Sequence, residues 1–227
     1  ITIGGKIHNI KGDADMWQGT KGVALHLRNG AVGSMSAIGE ITDIKGSENA
    51  VFATGEAVRF TMEHGSKIHN FANLCGVYME NSSQLYMDGE ISKLSKAVAV
   101  SLNDGAAGEI QSKGFIHDNQ CATAVVYLRG GSQLTIRGKI NDNESTGNCA
   151  AVYIVTTGGA SHATLEAGGE ICGNINGGKK YGAAVDLQQD VCSFTMNGGK
   201  ITGNKGPLGA VQIHKNQAAL IMNGGEI

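Results

Sequence analysis

The tripeptide Gly-(Lys/Glu)-Ile, or a close variant of it, returns along the chain at intervals of 23 to 34 residues. A repeat of this length is typical of stacked architectures, in which each unit buries its apolar face against its neighbours. The residue before each isoleucine alternates between lysine and glutamate, except at Phe115. Opposite charges at matched positions predict that consecutive units stack directly and that Lys139 pairs with Glu170. The repeated isoleucines are Ile7, Ile41, Ile68, Ile91, Ile116, Ile140, Ile171, Ile201 and Ile227.

Two further columns of apolar residues have the same period. One belongs to a small-Val-x-aliphatic motif, as in Ala151-Val152-Tyr153-Ile154. The other lies 4 to 6 residues before each isoleucine and consists of Ile3, Met35, Met62, Met87, Ile110, Ile136, Leu165, Met196 and Met222. Each repeat therefore holds three short stretches of alternating apolar positions, which are typical of strands with one buried face.

Three strands in every repeat predict an all-β chain that forms a parallel β-helix of about eight coils. The 35 glycines and the single proline suit tight corners between such strands. We expect residues 1–227 to form one β-helix domain, uncapped at both ends and part of a longer chain, with no helix longer than about two turns. Val126, Val152, Ile140 and Ile171 should point into the interior.

The position three residues after each isoleucine changes character along the chain. It reads Ile10, Ile44, Phe71 and Leu94, and then Asn119, Asn143, Asn174 and Asn204. Because these asparagines occupy matched positions in consecutive repeats, they predict a ladder of side-chain amides that hydrogen-bond along the axis.

One stretch carries a resemblance to a known class of repeats. Residues 194–204 read Phe-Thr-Met-Asn-Gly-Gly-Lys-Ile-Thr-Gly-Asn, with echoes at 165–174 and 220–227. This pattern resembles the right-handed parallel β-helix repeats of large bacterial surface proteins, common in Gram-positive and gut anaerobes. The resemblance covers essentially the whole chain. It implies an extracellular or cell-surface location, and a class that includes adhesins, passenger regions of surface proteins and carbohydrate-active enzymes.

Charge and motif content narrow the possible partners. The net charge is −2 and the basic residues are dispersed, which argues against nucleic-acid binding. No run of 18 apolar residues is present, so no membrane insertion is expected. The five cysteines show no Cys-x-x-Cys spacing, and neither a metal site nor a cofactor is predicted. Cys121 and Cys149 precede equivalent strands of neighbouring repeats, which leaves a disulfide between them open.

The predicted outer face of the valine strands is rich in aromatic residues. Its column reads Ala24, Phe52, Tyr78, Ala99, Tyr127, Tyr153, Asp186 and Gln212. Flat aromatic faces beside polar groups suit sugar rings or a protein partner, although tyrosine is also a common residue of β-strands.

Insertions between strands are the second place where a solenoid can bind a ligand. Residues 156–162, which end at His162, and residues 172–182, which include Tyr181, should flank a shallow groove around Tyr153 and Asp186. A further insertion, residues 11–21, holds Trp17. The candidate binding residues are therefore Tyr127, Tyr153, Asp186, Tyr181, His162 and Trp17.

Catalysis on this scaffold needs acidic residues together on one outer face. Glycoside hydrolysis uses two carboxylates, and Asp186 is the single acid in the outward valine column. We therefore expect a non-catalytic surface protein that presents loops or an aromatic face to a glycan or protein ligand, or that acts as a stalk. Two alternatives stay open. One is the scaffold of an extracellular glycosidase or polysaccharide lyase, and the other is a rod that assembles end to end through its uncapped coils.

Overall fold

The computed structural model describes residues 1–8, 23–44, 49–72, 75–148, 151–178, 181–189 and 191–227. Over these residues the chain is all-β and winds into a parallel β-solenoid of about seven turns, with three sheets of strands in each coil. The predicted fold class is therefore confirmed. The described residues contain no helix that is long and apolar enough to cross a membrane.

The first sheet carries the column of Met, Ile and Leu residues, and we call it the methionine sheet. Each strand pairs in parallel with the equivalent strand one coil away, so that Ile136 lies opposite Leu165 and Leu165 opposite Met196. Its nine strands are Thr2–Ile3, Val32–Met35, Arg59–Met62, Gln84–Met87, Ala107–Ile110, Gln133–Ile136, His162–Leu165, Ser193–Met196 and Ala219–Met222.

The second sheet, the isoleucine sheet, carries the repeated isoleucine. Ile140 pairs with Ile171, which pairs with Ile201, and all three side chains are buried. Its eight strands are Lys6–His8, Glu40–Thr42, Lys67–His69, Glu90–Ser92, Phe115–His117, Lys139–Asn141, Glu170–Cys172 and Lys200–Thr202.

The third sheet, the valine sheet, closes the coil. Val126 and Val152 are paired and fully buried, which confirms their predicted inward orientation. Its eight strands are Leu25–Arg28, Asn49–Thr54, Cys75–Glu80, Val98–Leu102, Val126–Leu128, Val152–Ile154, Val185–Leu187 and Val211–Ile213. A fourth, smaller sheet, the corner sheet, was not predicted and consists of Gln120–Cys121, Glu144–Ser145 and Ile175–Asn176.

The predicted register of the valine sheet is wrong in two coils. Leu25 and Val100, rather than Val23 and Val98, stand in line with Val51 and Val77. His26 and Ser101 therefore replace Ala24 and Ala99 in the outward column. A shift of two residues preserves the alternation of inward and outward side chains, so the apolar pattern alone cannot distinguish the two registers.

Each coil turns sharply where the isoleucine sheet ends. The residue two positions after the isoleucine has a positive φ, between 53° and 66°, in seven coils. Left-handed backbone is most accessible to Gly, Asn and Asp, which explains most members of this column. They are Asp43, Asn70, Lys93, Asp118, Asp142, Gly173 and Gly203.

The asparagine ladder that follows this corner is confirmed. The Nδ2 of Asn119 donates to Oδ1 of Asn143, and the same bond joins Asn143 to Asn174 and Asn174 to Asn204, each at 2.9 Å. Each of these acceptor oxygens also takes the backbone N–H of the donor residue at 3.0 to 3.1 Å. The second Nδ2 hydrogen of each of the first three asparagines goes to a backbone carbonyl. The buried amides are thus fully hydrogen-bonded, as burial of polar groups requires.

The charge ladder is also present on the isoleucine sheet. Lys139 Nζ lies 3.0 Å from Glu170 Oε2, as predicted. These side chains are 47% and 34% exposed, so the pair contributes only about 0–1 kcal/mol. Where Phe115 interrupts the ladder, its ring stacks on His117 at a centroid distance of 4.0 Å. His117 Nε2 then lies 3.2 Å from Glu90 Oε1.

The cysteine pair left open by the sequence is only partly described. Cys121 is a buried free thiol whose pKa is raised to about 12 by burial. Cys149 lies outside the described residues, as does Trp17.

Candidate functional site

The outer face of the valine sheet, which we call the valine face, carries two parallel columns of side chains. Side chains two positions apart on a strand share a face, so the residue two after each aromatic-column member lies beside it. The first column, the aromatic column, consists of His26, Phe52, Tyr78, Ser101, Tyr127, Tyr153, Asp186 and Gln212. The second column consists of Arg28, Thr54, Glu80, Asn103, Arg129, Val155, Gln188 and His214.

The aromatic column forms two groups of neighbouring rings. His26 and Phe52 have centroids 5.0 Å apart, and Phe52 and Tyr78 are stacked at 5.5 Å with an interplanar angle of 27°. Beyond Ser101, Tyr127 and Tyr153 lie 5.6 Å apart. These separations fall in the range of favourable aromatic pairs, each worth about 0.5–1.5 kcal/mol beyond its area burial.

The rings differ in what they leave to solvent. Phe52, Tyr78 and Tyr127 are half-buried, whereas Tyr153 is only 8% exposed and packs with Ala124 and Val155. Tyr153 therefore supports the neighbouring ring of Tyr127 more than it offers a surface of its own. Phe52, Tyr78 and Tyr127 therefore supply accessible aromatic surface on this face.

A half-buried arginine lies between the two aromatic groups. Arg129 Nε donates to Asn103 Oδ1 at 2.7 Å, and Nη2 lies 3.5 Å from the hydroxyl of Tyr78. Asn103 is 1% exposed and is itself held by the carbonyl of Met79 and the hydroxyl of Ser101. Burial raises the pKa of Tyr78 and of Tyr127, so both phenols stay protonated and can donate hydrogen bonds.

Asp186 organises the next part of the face from a buried position. Its side chain is 0% exposed and accepts the N–H of Gly182 at 3.0 Å and the amide of Gln188 at 2.5 Å. His214 Nε2 lies 3.2 Å from its Oδ1, and the ring of Tyr181 lies 5.7 Å from that of His214. The structure thus brings Tyr181 and Asp186 into one cluster, in which His214 and Tyr181, rather than the carboxylate, reach the surface.

One predicted site residue, His162, lies apart from this cluster. His162 is on the outer face of the methionine sheet, where its Nδ1 lies 2.7 Å from Ser193 Oγ. The insertion that precedes it does approach the valine sheet, because Thr156 donates through its backbone N–H and its hydroxyl to Gln189 Oε1, each at 3.0 Å.

Arg129, Gln188 and His214 were missed by the sequence reasoning. Each lies two residues beyond a member of the aromatic column, and Asp186 to Gln188 is one such step. The two-residue period of a strand places such residues on the same face, so the second column was accessible from the pattern once the register was known.

Comparisons with protein-family models, with curated proteins and with solved structures found no match to this chain. The role of the chain must therefore be inferred from the geometry of the valine face, from the solenoid that carries it and from the resemblance of its repeats.

Proposed function

We propose that this chain is a non-catalytic, extracellular β-solenoid that binds glycans on its valine face. One observation carries the proposal, namely the half-buried rings of Phe52, Tyr78 and Tyr127 held in line on one face of the solenoid. Each ring is fixed by parallel strands that are spaced about 4.8 Å apart. A ligand therefore meets a surface that is already ordered before binding, which lowers the entropic cost of association.

The second column supports a saccharide as the ligand. Sugars expose both apolar C–H surfaces and hydroxyl groups, and the rings lie beside hydrogen-bonding side chains such as Thr54 and Arg129. Tyrosine combines a flat apolar body with a polar tip, which suits such amphipathic partners. The rings and the polar groups of this face are therefore complementary to the two kinds of surface on a sugar.

The extracellular location rests on the resemblance of residues 194–204 to β-helix repeats of bacterial surface proteins. The solenoid also agrees with a surface role, because about seven stacked turns at strand spacing make a rod roughly 34 Å long. Such a rod holds its binding face at a fixed distance from whatever flanks it.

A glycan-array screen of the purified chain tests the proposal. The Tyr78→Ala/Tyr127→Ala variant should lose specific binding or weaken it at least about tenfold, since tyrosines are frequent binding hot spots. Tyr86→Ala is the matched control, because Tyr86 is a half-buried outward tyrosine on the methionine sheet. Tyr153 is left in place, because replacing a buried ring would disturb the face itself. Binding to no glycan, or equal loss in the control, would refute the proposal.

One observation favours a second candidate, a carbohydrate-active enzyme. A histidine held by a buried carboxylate is an arrangement that general bases use, and His214 is held so by Asp186. The discriminating measurement is chromatography of any bound glycan after prolonged incubation with the chain. Cleavage that the His214→Ala variant abolishes would establish the enzyme, whereas intact glycan would leave a binding protein.

A further inference from the structure

In the described part of the chain, Arg129 is a cation without a carboxylate partner. Within the described ranges it forms no ion pair, and its hydrogen bonds go to Asn103 and Tyr78. Arg137, by contrast, pairs with Glu109 on the methionine sheet. A half-buried guanidinium has lost part of its hydration, so a partner that restores charge-assisted hydrogen bonds is favoured there.

The guanidinium is held in place before any ligand arrives. Asn103 fixes Nε, and Asn103 is locked by two bonds of its own, to the carbonyl of Met79 at 3.2 Å and to Ser101 Oγ at 3.0 Å. On its other side, Nη2 of the guanidinium lies 3.5 Å from the Tyr78 hydroxyl. A planar fork with its orientation fixed is the geometry that binds carboxylate or sulfate oxygens in pairs.

The acidic residues nearest to this position do not neutralise it. Glu80 lies two strands from Arg129 in the second column and, among the described residues, forms no ion pair with it. Asp186 is also two strands from Tyr127, and His214 and Gln188 already occupy its carboxylate. Asp104 lies at the turn against Gly130 and makes no ion pair with the guanidinium.

We propose that Arg129, with the hydroxyls of Tyr78 and Tyr127, binds the anionic group of an acidic saccharide, either a carboxylate or a sulfate. This inference rests on the proposed function and specifies its ligand class. The rings take the sugar faces on each side, and the guanidinium takes the charged substituent between them. A neutral saccharide leaves the guanidinium without its counterion and binds more weakly.

Isothermal titration of the whole 227-residue chain tests this with matched probes. One pair is a uronic-acid oligosaccharide and its carboxyl-reduced form, and the other is a sulfated oligosaccharide and its desulfated form. The two pairs distinguish carboxylate from sulfate. The acidic member of at least one pair should bind about 10- to 100-fold more tightly than its neutral form. Arg129→Gln should remove this preference, and Arg129→Lys, which keeps the charge but not the fork, should restore only part of it.

Arg28→Gln is the control, since Arg28 lies in the same second column and the change in net charge is the same. If the chain binds the acidic and neutral forms equally tightly, and the Tyr78→Ala/Tyr127→Ala variant loses this binding, the inference about Arg129 is overturned while the glycan-binding proposal stands. Equal losses in the Arg28 and Arg129 variants would overturn the assignment to Arg129. Binding to no saccharide overturns both proposals, and binding of poly-glutamate in their place would identify a protein-binding face.

Discussion

The asparagine ladder makes a quantitative prediction about a single substitution. In the ladder Asn143 Oδ1 accepts two hydrogen bonds, from the backbone N–H and from the Nδ2 of Asn119. Replacing Asn143 with leucine removes this acceptor and leaves both donors unpaired at once. Leucine fits the coil sterically, because Leu94 occupies the equivalent position earlier in the chain and is 1% exposed. The substitution therefore tests the hydrogen bonds more than the packing.

The cost follows from counting the donors left unpaired. A buried donor without an acceptor costs about 1–3 kcal/mol, so Asn143→Leu should lower the free energy of unfolding by about 2–6 kcal/mol. Asn119→Leu is the comparison, because Asn119 Oδ1 accepts only the backbone N–H of Leu94. One orphaned donor predicts a loss of about 1–3 kcal/mol, roughly half that of the first variant. Both residues are 1% exposed, so solvent cannot replace the lost acceptor in either case.

Urea denaturation followed by far-UV circular dichroism measures both losses, and equal slopes of the two transitions make the midpoints comparable. Amide hydrogen exchange adds a local readout, since the N–H of Asn119 should lose protection in the Asn143 variant. If the two variants lose the same stability, or if Asn119→Leu loses more, counting orphaned donors does not describe this corner.

Three other perturbations test the core, the corners and the charge ladder. Val152→Asp should leave the chain unfolded where the parent is folded, because the site is fully buried in the apolar core, where a carboxylate is costly. A native circular dichroism spectrum would contradict this. Gly138→Ala should lower the thermal midpoint, since a Cβ there collides with two backbone carbonyl oxygens of the preceding coil, whereas Gly5→Ala meets no atom and should leave the midpoint unchanged. The hydrogen bond from Lys139 holds the pKa of Glu170 in the folded chain below its ordinary 4.5. The stabilisation that ionised Glu170 gives the folded state is therefore complete above pH 4.5 and is lost as the pH falls through the lower pKa of the folded chain. The Lys139→Met variant should therefore show a shallower fall of the midpoint between about pH 5 and 3, and a profile parallel to that of the parent would refute the coupling.

The fold could be predicted from the sequence because every coil of a solenoid repeats the same pattern of inward and outward residues. Every coil presents the same inward isoleucine, and the stacking of Ile140 on Ile171 follows from their matched positions. The asparagine column could be predicted for the same reason, since a ladder requires only that identical residues recur at one position. The corner sheet was not predicted, because strands such as Gln120–Cys121 are two residues long and show no alternation.

The candidate site was harder to predict from the sequence, because it depends on the strand register and on how far the side chains extend. Ser101, rather than Ala99, lies in the aromatic column, and only the strand pairing reveals this. The burial of Asp186 depends on contacts from Gln188 and His214, which come from two coils and have no signature in the local sequence. Arg129 is separated from Tyr78 by 51 residues, so their proximity becomes visible only when the coils are stacked.

The asparagine corner has a consequence for how this chain can change in length. Each step of the ladder, from one asparagine to the next, has the same donors and the same acceptor. Removing a whole repeat therefore brings together two coils whose donors and acceptors still match. Deleting residues 119–142 would set the backbone N–H of Leu94 against Asn143 Oδ1, where Asn119 Oδ1 now accepts it. Asp118 would then precede Asn143 in place of Asp142, and both aspartates already adopt a positive φ. This half of the molecule is thus modular. Its length along the solenoid axis can change by whole coils, while the asparagine corner keeps successive coils aligned with one another.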